Sequence, residues 1–291
     1  MEAEATMTAV SAAPGWDYAT VAHANEHVVG VGGALVSVVD PLVGFEAAYN
    51  TWYEQDHYYA GALAMPWLFA GRRFVATGEL LTDQFRSAAD FEASRRRCTY
   101  LHVYWVSVGH IDDHIAWTAA ANETLRGSPG RIFRDRRHVY TGFHRFVADV
   151  STERSPVTAH QCLDYPFGGV IIEVLEPLRE ESSPLDSSVL EAHLAQTQET
   201  TDVAHSVVLG QHARLSAPPR GVPGPGNPGW TTLLHFVSGD LGSTRRQVWR
   251  SRADAAWRQA YRMTFAGAFR AVTPGLHPYL EDLVEVPVGP M

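Results

Sequence analysis

Asn50, Tyr53 and His57 follow one another at three- and four-residue spacing, which sets side chains on one stripe of a helix. An amide, a phenol and an imidazole held together can orient a carbonyl group and move a proton on the carbon beside it. Isomerases, lyases and cyclases share that step. His57 is the expected general base and acid, with Tyr53 and Asn50 as orienting or oxyanion-stabilising partners. A plainer role competes, because a half-buried histidine can also close a helix end by hydrogen bonding to its last carbonyls. Glu54 and Asp56 are sequence neighbours of His57 but leave a helix in other directions, so neither is automatically its partner.

Further candidates stand on strand-like segments. His102, Tyr104 and His144 could complete a polar wall, His144 as a catalytic group, and Tyr49, Trp52, Arg73 and Tyr140 could bind substrate beside them. Aromatic residues are dense here, and most such residues are core packing, with a few left to form a flat slot. His110-Ile-Asp-Asp113-His114 offers two imidazoles and a carboxylate on one helical face, a spacing that a divalent metal can use. Asp113 equally suits a helix N-terminus, and no third protein ligand is marked, so no metal is expected. Haem would need an axial ligand such as His144 or His235; no CxxCH attachment site exists, and no cofactor is expected. All 23 basic residues are arginine. The absence of lysine excludes Schiff-base chemistry and a Walker-type phosphate loop.

The elements that must position these residues are written twice. Gly33-Ala-Leu-Val-Ser-Val-Val-Asp40-Pro41-Leu42 returns in kind as Gly169-Val-Ile-Ile-Glu-Val-Leu-Glu176-Pro177-Leu178, each a buried-strand pattern closed by an acid and a proline. Glu46-Ala47 answers to Glu191-Ala192, and Tyr104-Trp-Val-Ser107 to His235-Phe-Val-Ser238. The first copy reads as strand 30–40, helix 44–64, strands 67–77 and 99–108, helix 111–126 and strand 136–149. The second reads as strand 168–176, helix 186–209, a weak strand at 213–217, strand 231–238, helix 244–268 and strand 276–286. A repeated β-α-β-β-α-β order is the ferredoxin-like unit. Each sheet would bare one face, so the two are expected to cover each other as a pseudo-dimeric α+β barrel. The expected organisation is a leader over 1–27, a first unit over 28–150 with the active site, a linker over 151–165 and a second unit over 166–291.

The segment Asn50-x-Trp52-Tyr53-x-x-His57, followed by Pro66 and Arg73-Phe74, resembles the helix of the EthD-like group of dimeric α+β barrel proteins. The resemblance covers some thirty residues and implies a barrel with a pocket between helix and sheet, often with the helix histidine at its mouth. It also implies small-molecule chemistry that often needs no cofactor, from lactone isomerisation and polyketide cyclisation to small oxygenases. The second copy departs from the motif: Thr197, Gln198 and Asp202 stand opposite Trp52, Tyr53 and His57.

A cofactor-independent enzyme acting on a small cyclic or aromatic carbonyl compound is therefore expected. A cofactor-free oxygenase or a hydrophobic-ligand-binding barrel is the alternative. The net charge of −9 disfavours nucleic acid and anionic membranes as partners. Cys98 and Cys162 are too far apart in sequence for a CxxC site, and no secretory signal or bilayer-length apolar run is present, so a cytoplasmic location is expected. A homodimer stays open.

Overall fold

The computed structural model describes residues 29–87, 98–125, 131–153, 155–178, 188–212, 229–251 and 255–284. The leader at 1–27 and the weak strand at 213–217 lie outside them.

β1 (Val31–Pro41) is the apolar run read from sequence. Gly44, at a φ of 89°, turns the chain into α1 (Glu46–Trp52). The Gly44 N–H donates to Glu46 Oε2 at 2.8 Å, which places a carboxylate where the helix dipole favours it. Beyond Trp52 the helix widens into a π-helix over Tyr53–Leu63. Such widening is rare and concentrates at functional sites. Tyr53, His57, Tyr58 and Ala62 then share one flank, and Tyr53 and Ala62 are buried.

The chain continues through β2 (Leu68–Val75), α2 (Glu79–Thr82), β3 (Phe85–Arg86), β4 (Tyr100–Ser107), α3 (Ile111–Leu125) and β5 (Arg136–Ser151). The second half holds β6 (Gly169–Pro177), α4 (Ser188–Thr200), β7 (Val203–Gln211), β8 (Thr231–Val237), α5 (Leu241–Ser251), α6 (Ala255–Ala260), β9 (Tyr261–Ala271) and α7 (Leu280–Val284). Strands run β2-β4-β1-β5 in one half and β7-β8-β6-β9 in the other, the same order for equivalent strands. Both are antiparallel ferredoxin-like units. The halves join at both edges, β5 to β7 and β2 to β9. Eight of the nine strands thus close into a pseudo-dimeric α+β barrel, and β3 pairs on the outside of β9. Edge-to-edge closure replaces the two separate covering sheets expected from sequence. It satisfies backbone groups that two stacked sheets would leave bare.

Side chains alternate across each strand. Val36, Val38, Val103, Trp105, Ile172, Val174, Leu234 and Phe236 form the set opposite the helix-facing residues. All are fully or almost fully buried, so the barrel interior is packed core. No helix among the described residues is long and apolar enough to cross a membrane.

Three elements of the second half differ from the sequence reading. The helix expected over 186–209 ends at Thr200 and gives way to β7, and the helix expected over 244–268 stops at Ala260 before β9. Of the strand expected over 276–286, the described residues up to 284 are instead a loop and α7. Tyr261–Ala271 is rich in alanine and reads as helix locally. It becomes a strand because β6 and β2 present open edges on either side of it, a tertiary demand that outweighs weak propensity.

Candidate functional site

Antiparallel register sets Arg73 of β2, His102 of β4, Ser37 of β1 and Thr141 of β5 in one row across the first sheet. The row faces α1 and its π extension. Asn50 is fully buried at its centre: Nδ2 donates to Tyr100 OH at 2.8 Å and to the Glu46 carbonyl at 2.9 Å. Its Oδ1 accepts from Arg73 Nη2 and, at 3.1 Å, from Tyr279 OH. Arg73 Nη1 donates to Glu54 Oε1 at 2.8 Å. The Arg73 guanidinium lies 4.4 Å from the Tyr53 ring and 5.1 Å from the Tyr100 ring, close enough for cation–π attraction. Tyr53 stacks on His102 at 4.5 Å and its hydroxyl pairs with that of Tyr104, while Tyr49 OH meets His102 Nε2 at 3.3 Å. Gly71 makes this possible, because a Cβ there would come within 2.5 Å of the Tyr104 ring.

His57 is half-buried, stacked on Trp52 at 4.4 Å and edge-on to Tyr53 at 5.2 Å. A Cβ on Gly61 would stand 2.6 Å from its Nδ1, so the π-helix needs a glycine one turn on. Burial first, then the Arg136 guanidinium and His138, pull the His57 pKa down to about 3. Its imidazole is neutral at physiological pH and a weak base. Burial likewise holds His102 well below its ordinary value and raises the phenols of Tyr49, Tyr100 and Tyr104.

Arg136 and His138 were not singled out in the sequence. A β-bulge between β1 and β5, where Val38 pairs with Tyr140 but Val39 with His138, swings both onto the helix side. Arg136 then lies 4.6 Å over the Trp52 ring, and His138 Nδ1 meets Thr141 Oγ1 at 2.8 Å. The C-terminal segment adds more groups that sequence reading missed. Glu54 accepts from His277 Nε2 at 2.8 Å and from the Gly275 N–H at 2.7 Å, and Tyr279 reaches Asn50. No local signal marks a second-copy tail as part of a first-copy site.

An open pocket of about 220 Å³ lies beside the seam where β2 meets β9. Glu54, Tyr58, Tyr59, Arg72, Arg73 and Asp164 supply its functional groups. Of the residues expected from sequence, only Arg73 reaches this wall; Asn50, Tyr53, Tyr49, His102, Tyr104, Trp52 and His57 form the packed layer adjoining it. Tyr140 and His144 stand apart, on the opposite face of the sheet. There His144 Nε2 meets Tyr140 OH at 2.7 Å and Thr232 Oγ1 at 3.2 Å, and Tyr140 OH donates to Gln211 at 3.0 Å. Of the potential metal ligands, His110 Nδ1 and Asp113 meet each other at 3.0 Å, while His114 Nδ1 meets the Pro66 carbonyl at 2.9 Å; among the described residues no three His, Cys, Asp or Glu side chains are grouped to hold a metal ion.

No family model matches the chain, and no curated protein does. Solved structures that align over most of its length include a dye-decolorizing peroxidase from Bacteroides thetaiotaomicron (9% identity, TM-score 0.47, covering 84% of this chain and 93% of that one). A heme-binding protein from Thermus thermophilus aligns at 12% identity and TM-score 0.46 over 90% of this chain and 100% of its own. An anthrone oxidase-like protein aligns at 8% identity and TM-score 0.45 over 84% and 95%. At these values the likeness says nothing of ligand or chemistry, and the fold assignment rests on strand order and barrel closure.

Proposed function

We propose that the protein is an enzyme that moves a proton on a compact carbonyl-containing metabolite, with its active site in the unit spanning 28–150. The observation carrying this reading is the pairing of Glu54 with Arg73 at 2.8 Å on the wall of the seam pocket. A carboxylate can take a proton from the carbon next to a carbonyl, and the electron pair then moves onto the carbonyl oxygen. Arg73 and Arg72 supply positive charge where that oxyanion forms. Return of the proton to another carbon gives an isomerase; loss of a leaving group gives a lyase. Neither outcome needs a cofactor. The volume is below the ~300–1,000 Å³ usual for drug-sized ligands, which favours a small substrate with a ring against Tyr58 and Tyr59.

His57, the base expected from the helix stripe, is the rival. Its depressed pKa disfavours that role, and two variants separate the alternatives. Solvent deuterium uptake by a panel of small enolisable keto acids, read by mass spectrometry, is expected to disappear in Glu54→Gln and persist in His57→Gln. The reverse pattern assigns the base to His57. Uptake no faster than in the absence of protein leaves a binding barrel without catalysis, a reading favoured by the three hydrogen bonds that already hold Glu54.

A further inference from the structure

We infer that the second unit holds its own binding site, for a planar polycyclic aromatic molecule carrying an acidic group. The site is a cavity of about 510 Å³ between the α2–β3 excursion and the start of β9. That volume falls inside the ~300–1,000 Å³ range of small-molecule pockets. Phe85, Trp249, Trp257, Tyr261 and Met263 wall it, with Arg258 beside them. None of these residues belongs to the seam pocket.

The cavity is built rather than incidental. Its roof comes from the first unit and is pinned to the second: β3 pairs with β9, the Ser87 N–H donates to the Thr264 carbonyl at 2.8 Å, and the buried Arg245 donates to the Glu79 carbonyl at 3.0 Å and to Asp83 at 2.6 Å. Its floor repeats the first unit's geometry. A bulge between β6 and β9 falls where Val174 pairs with Phe265 but Leu175 with Met263, the counterpart of the bulge in β5. Met263 and Tyr261 therefore occupy the positions of His138 and Arg136. Trp257 is clamped between His193 at 3.8 Å and Tyr261 at 5.0 Å, while Phe85 remains 45% exposed although it faces aromatic neighbours.

The wall chemistry selects the ligand class. Aromatic faces and edges favour flat rings, and the methionine thioether adds a polarizable contact. Arg258 can pair with a carboxylate or sulfonate, since its five donors leave capacity beside any protein partner. Asp83, the acid on the wall, is neutralised by Arg245.

The test titrates the full chain with 8-anilinonaphthalene-1-sulfonate, an anion built on a planar naphthalene ring system, by calorimetry and by energy transfer from tryptophan. Saturable binding at one equivalent is expected. Met263→Trp, which fills the cavity, should abolish it, Arg258→Gln should weaken it about ten-fold, and Glu54→Gln should leave it unchanged. If Met263→Trp does not fold, Phe85→Ser in the roof takes its place and should weaken binding. No binding, or binding insensitive to the cavity variants, overturns the site. Equal affinity for the neutral N-phenyl-1-naphthylamine overturns the acidic-group assignment.

Discussion

In the first unit Arg73, His102, Ser37 and Thr141 cross the sheet in one row beneath the helix; in the second unit the same register carries Val208, Leu233, Glu173 and Ala266. The one acid in the second row is fully buried and meets His235 Nε2 at 3.0 Å, whose other nitrogen meets Ser206 at 2.9 Å. The helices differ in step. α1 continues as a π-helix of 11 residues, whereas α4 stops after 13, and Asp202, opposite His57, lies in the turn where its carbonyl accepts the Ser238 N–H. The strand order and bulge that close the barrel are common to both copies, so closure constrains the backbone but not the chemistry of the helix-facing row. One copy keeps an arginine and an imidazole there at a cost in desolvation, and the other sets three apolar side chains around a single buried acid that is paired with a histidine.

The largest expected effect concerns that difference directly. Glu54→Gln should lower turnover by ~10²–10⁴-fold, read as deuterium uptake on the best substrate of the panel, and should also lower the melting temperature, because it leaves the buried Arg73 without its carboxylate. Full activity in this variant would remove the functional contrast between the units. Next comes Arg73→Met, which gives the first row the apolar character of Val208 but strands Glu54 without its ion-pair partner. Breaking a buried pair in this way typically costs ~3–5 kcal/mol, measured by urea unfolding. A neutral result would mean that His277 and the Gly275 N–H suffice to hold Glu54.

His102→Leu copies the second unit's Leu233 into the first and leaves Tyr49 OH without its imidazole partner. A buried group left unsatisfied costs ~1–3 kcal/mol; a stability gain would show that the polar row is not needed for packing. A smaller, pH-dependent effect comes from histidines held neutral. Burial is the main cause that lowers His57 and His138 from 6.5 to about 3 and His144 to about 4. Below pH 6.5 the unfolded chain binds protons that the folded chain refuses. Stability is therefore full above that pH and falls as the pH drops toward those depressed values. The melting temperature should decline across this window, and less steeply in a His57→Gln, His138→Gln double variant. An unaltered slope would place the acid sensitivity in other groups, His144 among them.

Several features were legible without coordinates. The paired strand words at 33–42 and 169–178 define the duplication because buried strands need β-branched apolar runs whatever surrounds them. The Asn50, Tyr53, His57 stripe likewise marks a polar helix flank through local spacing alone. Tertiary structure decided the rest. Tyr261–Ala271 is a strand because two sheet edges wait for it, and Arg136 and His138 face the helix because one extra residue in β5 inverts the alternation. Glu54 became a pocket residue because the chain beyond β9 folds back as His277 and Tyr279 against a helix more than two hundred residues earlier. Local pattern reports only what a residue's own neighbours in sequence require. The pocket is made where distant strands close the barrel, and its chemistry depends on which side chains that closure brings together.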